Sequence, residues 1–203
     1  DEYSHSSIRN LYLDTPDFRL IRRSLEKPVY KEKLRLRSYG RADREHPVFM
    51  ELKKKYRSIV YKRRLTLPYG RALDCLTGDC PWPETQIGRE IGYAMDFYPD
   101  LEPRVFLSYE RDSWYAPESG LRITFDDAIR FRTADLTLDS DLWGTALLRP
   151  DQVLMELKAP GAIPRWIGRL LTEMGLYKTS FSKYGTAYQI LLEQEYKGGK
   201  RYA

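Results

Sequence analysis

The chain has 203 residues, 42% hydrophobic and 31% charged, with a net charge of +5. This length and balance describe a folded α+β or β domain and exclude a disordered polyelectrolyte, and no apolar run approaches the ~20 residues of a membrane span. The mildly basic total leaves local charge placement to decide between nucleotide, polyphosphate and nucleic acid as partner.

The opening Asp1-Glu2-Tyr3-Ser4-His5 reads as the middle of a loop, so a preceding segment is expected. Ser7 to Asp14 predicts a strand with Arg9, Leu11 and Leu13 on one face and Ile8, Asn10 and Tyr12 on the other. Asp14-Thr15-Pro16 predicts the capped start of a short helix that Pro28 ends. Lys31 to Tyr39 is a second strand. It places Lys31, Lys33, Arg35 and Arg37 on one face and Leu34 and Leu36 on the other. Gly40 to Pro47 is a polar turn, followed by strands over Val48 to Tyr56 and Ser58 to Leu67. Pro68 to Glu84 reads as a break with one helical turn over Arg71 to Leu76. Thr85 to Tyr98 carries Ile87, Ile91, Ala94, Met95 and Tyr98 at helical spacing. Arg104 to Tyr115 is a long strand whose hairpin partner, Leu121 to Asp126, follows the turn at Pro117-Glu118-Ser119-Gly120. Phe131 and Arg132 form a small edge strand, Asp139 to Pro150 is loop, and Val153 to Lys158 is another strand. Helices are predicted over Pro164 to Met174 and Phe181 to Gln194. Short connections between successive strands make an α+β domain on a largely antiparallel sheet. Periodicity alone leaves open whether the charged faces line an open sheet or the bore of a barrel.

A row of cations on alternate strand positions repels itself unless water or a polyanion neutralises it. Arg35 and Arg37 carry planar forks of donors that match phosphate oxygens. Glu51-Leu52-Lys53 and Glu156-Leu157-Lys158 share one design, with carboxylate and ammonium on one side and leucine on the other. A single carboxylate in a basic channel can hold a divalent cation that substrate phosphates help to coordinate. Val105, Leu107, Tyr109 and Arg111 share a face, as do Arg122, Thr124 and Asp126. Asp126-Asp127 offers a second acidic site, but reads more readily as the end of a strand and the start of a turn. Ser182 caps the last helix, and Lys183 beside it suits a phosphate. His5 and His46, the only histidines, lie in predicted loops, so Ser-His-Asp or His-rich metal chemistry has no support. No Gly-x-x-x-x-Gly-Lys-Ser/Thr loop or dinucleotide fingerprint occurs. Cys75 and Cys80 lack zinc-site spacing and read as two free thiols of a cytoplasmic protein.

The stretches Ile8 to Phe18, Lys33 to Gly40, Phe49 to Lys53, Ile59 to Arg64, Tyr109 to Arg111, Leu154 to Lys158 and Phe181 to Gly185 together resemble the VTC domain. This is the polyphosphate polymerase domain of the CYTH or triphosphate tunnel superfamily. The resemblance covers nearly all of 1–203 as a single domain. It implies an antiparallel barrel of about eight strands around a basic tunnel, with helices packed outside. It also implies transfer of the terminal phosphoryl group of ATP to a growing polyphosphate chain, assisted by Mn²⁺ or Mg²⁺. By position, Arg35, Arg37, Lys53, Arg111 and Lys183 would be catalytic. Lys33, Lys62, Tyr109, Arg122, Lys158 and Ser182 would bind substrate, and Glu156 and Glu51 would face the metal. The family's domain normally opens with a strand of Glu-x-Lys-Tyr type, expected before Asp1. The partners implied are ATP and inorganic polyphosphate, not nucleic acid, and a membrane-protein partner is left open. A triphosphatase or polyphosphatase on the same fold, and a module that only binds polyphosphate or inositol phosphates, are the competing readings.

Overall fold

The computed structural model describes residues 4–57 and 59–199. Its elements are β1 (His5–Asp14), α1 (Arg19–Leu25), β2 (Tyr30–Tyr39), β3 (Pro47–Tyr56) and β4 (Ile59–Pro68), then α2 (Tyr69–Thr77) and α3 (Gln86–Phe97). They continue with β5 (Glu102–Ala116), β6 (Leu121–Arg132), β7 (Thr145–Ala146), β8 (Leu154–Lys158), α4 (Arg165–Glu173) and α5 (Lys183–Gly199). All strands join one antiparallel sheet in the order β4-β3-β2-β1-β5-β6-β7, with β8 also on β6. The α+β antiparallel architecture is therefore as expected.

The closed barrel is not formed among the described residues. Two strands, β7 and β8, occupy different stretches of the same neighbour, so no described strand bridges from β8 to the far edge at β4.

The alternation of each strand sorts its side chains into two layers. One face carries Leu11, Leu34, Leu36, Met50 and Leu52, packed under Tyr69 and Ala72 of α2 and Ile91 and Ala94 of α3. The other, called the inner face here, carries Ile8, Tyr12, Val105, Leu107 and Tyr109. Over them lie Ile21 of α1 and Tyr184, Ala187 and Tyr188 of α5. The charged row of β2 shares this inner face, because its leucines belong to the opposite layer.

Three local differences from the sequence reading have physical causes. His5 opens β1 instead of lying in a loop, paired across to Asp112. The two strands expected around Asp126 and Phe131 are one continuous β6. Between Ser108 and Glu110 the ladder shifts, and two residues of β6, Ala128 and Ile129, face one of β5. Ala128 sits at φ 45°. The extra residue of this bulge flips the alternation, so Asp126 before it and Ile129 and Phe131 after it all reach the inner face. Asp126 accordingly lies mid-strand, not at a turn. Third, the helical turn expected at Arg71 is the full helix α2. Asp1 to Tyr3, and the strand start expected at Ser58, lie outside the described residues.

Candidate phosphate-binding site

Register fixes which charges share the inner face. Arg35 pairs with Glu51 and Glu51 with Arg64; Lys33 pairs with Lys53 and Lys53 with Lys62. On the other side Arg111 pairs with Asp126, Thr124 with Glu156 and Arg122 with Lys158. Two cation groups result, each built on a buried carboxylate.

The first is centred on Glu51, 2% exposed. Its Oε2 accepts from Arg35 Nε at 2.7 Å and Nη2 at 2.6 Å, and its Oε1 accepts from Arg64 Nη2 at 2.6 Å and meets Lys62 Nζ at 3.0 Å. Arg35 also donates to the Tyr12 hydroxyl at 3.0 Å, and Arg37 Nε donates to Asn10 Oδ1 at 2.9 Å. Both Glu51 oxygens are thus filled by cations. Burial would raise the Glu51 carboxyl, but the charges of Arg35 and Arg37 and the hydrogen bonds hold it well below the usual carboxylate range. Burial and the neighbouring Lys31, Lys53 and Arg35 push the Lys33 ammonium down, despite the nearby Tyr12.

The second group is centred on Asp126, fully buried. Arg111 donates to it through Nε at 2.6 Å and Nη2 at 2.7 Å, and Lys183 Nζ lies 2.5 Å from its Oδ2. Both cations sit over the Tyr109 ring, Arg111 Cζ at 5.2 Å and Lys183 Nζ at 4.7 Å from the centroid. The Tyr109 hydroxyl accepts from Arg37 at 3.4 Å, which joins the two groups.

The start of α5 ties the sheet together across its width. Ser182 Oγ accepts from Gly185 N–H at 3.1 Å, the cap expected, and from Lys33 of β2 at 2.9 Å. Lys183 binds Asp126 of β6 and meets Glu156 of β8 at 3.4 Å. Tyr184 donates to Asp14 of β1 at 2.8 Å and stacks on Tyr12 with ring centroids 4.4 Å apart.

A divalent cation fits this face only in company with phosphate. Among the described residues no group of three or more His, Cys, Asp or Glu side chains is placed to hold one. Glu51 and Asp126 spend their oxygens on cations. Glu156 is different: its side chain is 38% exposed and meets only Lys183 at 3.4 Å and Lys158 at 3.7 Å. Burial would raise its carboxyl, yet Lys183 and Lys158 hold it low and charged. Opposite it on β6, Thr124 Oγ1 is buried without a hydrogen-bond partner. One open carboxylate beside an orphaned hydroxyl suits a cation whose remaining ligands are substrate oxygens and water. Lys53, Arg122 and Lys158 lie exposed on the same face.

Asn10, Tyr12 and Asp126 are site residues that a search for cation rows passes over. Asn10 and Tyr12 sit at the alternate positions of β1, and Arg64 continues the Lys62 row, so period two placed them on this face.

These groups give stability a definite acid dependence. For Glu51, whose ordinary value is near 4.5, and likewise Asp126 and Glu156, the folded carboxyl titrates below the unfolded one. Their contribution is complete above the unfolded value and is lost as pH falls toward the lower folded one. Urea midpoints measured against pH should hold level down to about pH 5 and fall below about pH 4. The fall should be shallower in Glu51→Gln.

The VTC domain model matches residues 1–192. This chain belongs to the VTC family. The VTC domain is also similar to a Bacillus halodurans protein provisionally described as an adenylate cyclase. That match has 16% identity and a TM-score of 0.52, over 90% of this chain and 81% of the other. A Pyrococcus horikoshii protein matches at 12% identity and TM-score 0.44, over 94% and 85% of the two chains. At such identities the first likeness concerns the fold alone. None of the curated proteins matches. Among the described residues no helix is long and apolar enough to cross a membrane.

Proposed function

We propose that this VTC domain, acting as one unit over 1–203, is a polyphosphate polymerase that uses ATP and is assisted by Mn²⁺ or Mg²⁺. Its inner face is the wall of a tunnel, completed by further strand pairing across the edges of β4 and β8. The reaction is placed in the cytoplasm. A terminal oxygen of polyphosphate attacks the γ-phosphorus of ATP, the bond to the β-phosphate oxygen breaks, and ADP leaves. Such transfer passes through a loose transition state, so positioning and charge stabilisation carry the catalysis. Arg35, Arg37, Lys53, Arg111 and Lys183 act on the transferred group. Lys33, Lys62, Tyr109, Arg122, Lys158 and Ser182 hold triphosphate and product chain. Glu156 holds the metal, which when bound offsets charge on the phosphate oxygens. Glu51, read from position as a second metal-facing residue, sets the directions of Arg35, Arg64 and Lys62.

The observation that supports a polymerase over a hydrolase is the occupation of Glu51 and Asp126 by cations, while the third buried carboxylate, Asp14, spends its oxygens on backbone N–H groups and Tyr184. Among the site carboxylates Glu51, Asp126 and Glu156, Glu156 alone keeps open oxygens, which is sparse provision for activating water. The test is incubation with ATP and Mn²⁺ or Mg²⁺, with ADP, free phosphate and long-chain polyphosphate all measured. ADP matched by polyphosphate is expected. ADP matched by free phosphate makes the domain a hydrolase. No turnover with retained tripolyphosphate binding makes it a binding module.

A further inference from the structure

We propose that Asp126 is a positioning residue for phosphoryl transfer, a buried hub that holds Arg111 and Lys183 as a pre-aligned pair without itself touching substrate. The proposal rests on the phosphoryl-transfer reading above and adds a residue to it. Asp126 is fully buried, and three donors converge on its two oxygens: Arg111 Nε and Nη2 at 2.6 and 2.7 Å and Lys183 Nζ at 2.5 Å. No acceptor capacity of consequence is left for a metal. The two cations come from different parts of the chain, Arg111 from β5 and Lys183 from the start of α5, and Asp126 is the carboxylate that meets both. The Tyr109 ring supports them from a second side.

The geometry leaves the working surfaces free. Arg111 spends Nε and Nη2 on Asp126 and keeps Nη1 for phosphate. Lys183 has further donors and already reaches Glu156 at 3.4 Å. Two long cationic side chains in water would each lose rotamer freedom on meeting a phosphate. Fixing them beforehand removes that cost from the transition state. The negative charge of Asp126 meanwhile reduces the ground-state attraction of this wall for phosphate. The hub should therefore favour rate over affinity.

That division separates positioning from simple structural support. Asp126→Asn keeps the shape and one acceptor, and removes the charge. With ATP and Mn²⁺, kcat should fall roughly 10–100-fold, while affinity for tripolyphosphate measured without metal stays equal or tightens. In ligand-free protein the slowly exchanging Arg111 Nε–H and the Lys183 ammonium signals, seen by proton–nitrogen NMR, should both disappear. In Lys183→Gln the Arg111 signal should persist, because the hub still clamps it. This second variant decides the matter if Asp126→Asn does not fold. Unchanged kcat in Asp126→Asn, a parallel loss of tripolyphosphate binding, or loss of the Arg111 signal in Lys183→Gln would each overturn the proposal. If the wild-type domain turns over no ATP, the polymerase reading fails, and the hub is judged on the NMR signals: their persistence in Asp126→Asn sinks it.

Discussion

Glu51→Ala is expected to be the most destabilising single change on the inner face, by about 3 kcal/mol, because it strands buried cations without their anion. Arg37 is 6% exposed, and the side chain of Arg35 is 23% exposed. Neither can turn fully to water when the carboxylate is lost, and Arg64 and Lys62 lose their anchor at the same time. For a chain of this size the melting temperature should fall by roughly 6–12 °C. Tripolyphosphate should then recover more of the melting temperature in the variant than it adds to wild type. An anion from solution replaces the missing carboxylate, and binding to the folded state alone stabilises it by mass action. Thermal unfolding of both proteins, with and without tripolyphosphate and without metal, checks this. Equal ligand shifts in the two would show that phosphate does not meet the Glu51 group of cations.

Glu156→Ala should have the larger effect on turnover and little on stability. The carboxylate is half-exposed and its ion pairs, at 3.4 and 3.7 Å, are loose, so removing it costs no more than about 1 kcal/mol of folding. Turnover of ATP with Mn²⁺ should drop about 10²–10³-fold, the scale of losing one element of transition-state charge stabilisation. Metal-free tripolyphosphate should bind at least as tightly, since a negative charge has left a phosphate site. The opposite pattern, weakened metal-free binding with little change in turnover, would remove Glu156 from the metal's vicinity and leave it as a partner of Lys183. The comparison with Glu51→Ala is informative because both residues sit in the same Glu-Leu-Lys setting. Burial and the cations that close on Glu51 divide their roles.

Much of this architecture was legible in the residues. The strand alternation of Lys31 to Arg37 located the inner face. Ser182 was placed correctly as a cap, and Arg111 was placed with Tyr109. Other features turn on contacts that no local pattern reports. Asp126 beside Asp127 looks like turn chemistry, yet the strand runs on past it through the bulge at Ala128. Glu51 and Glu156 look equivalent in one dimension. Their difference arises from Arg64 and Lys62 on a third strand, which close on the first carboxylate at 2.6 and 3.0 Å, whereas the second meets Lys183 and Lys158 only at 3.4 and 3.7 Å. Closure of the sheet depends on pairing between edges far apart in the chain, which periodicity cannot encode.

The triple attachment at the start of α5 has a consequence for how the domain is made. Ser182, Lys183 and Tyr184 are the residues through which β2, β6 and β1 are held in one site, and they follow every strand of the sheet in the chain. A ribosome extends the chain from its N-terminus. The cationic rows of β2, β3 and β4 therefore emerge well before the residues that lock them. Until then they form a loosely organised basic surface, open to whatever polyanions the surroundings contain. The arrangement of charges in this site should therefore be completed abruptly, when α5 emerges, and not in proportion to the length of chain made.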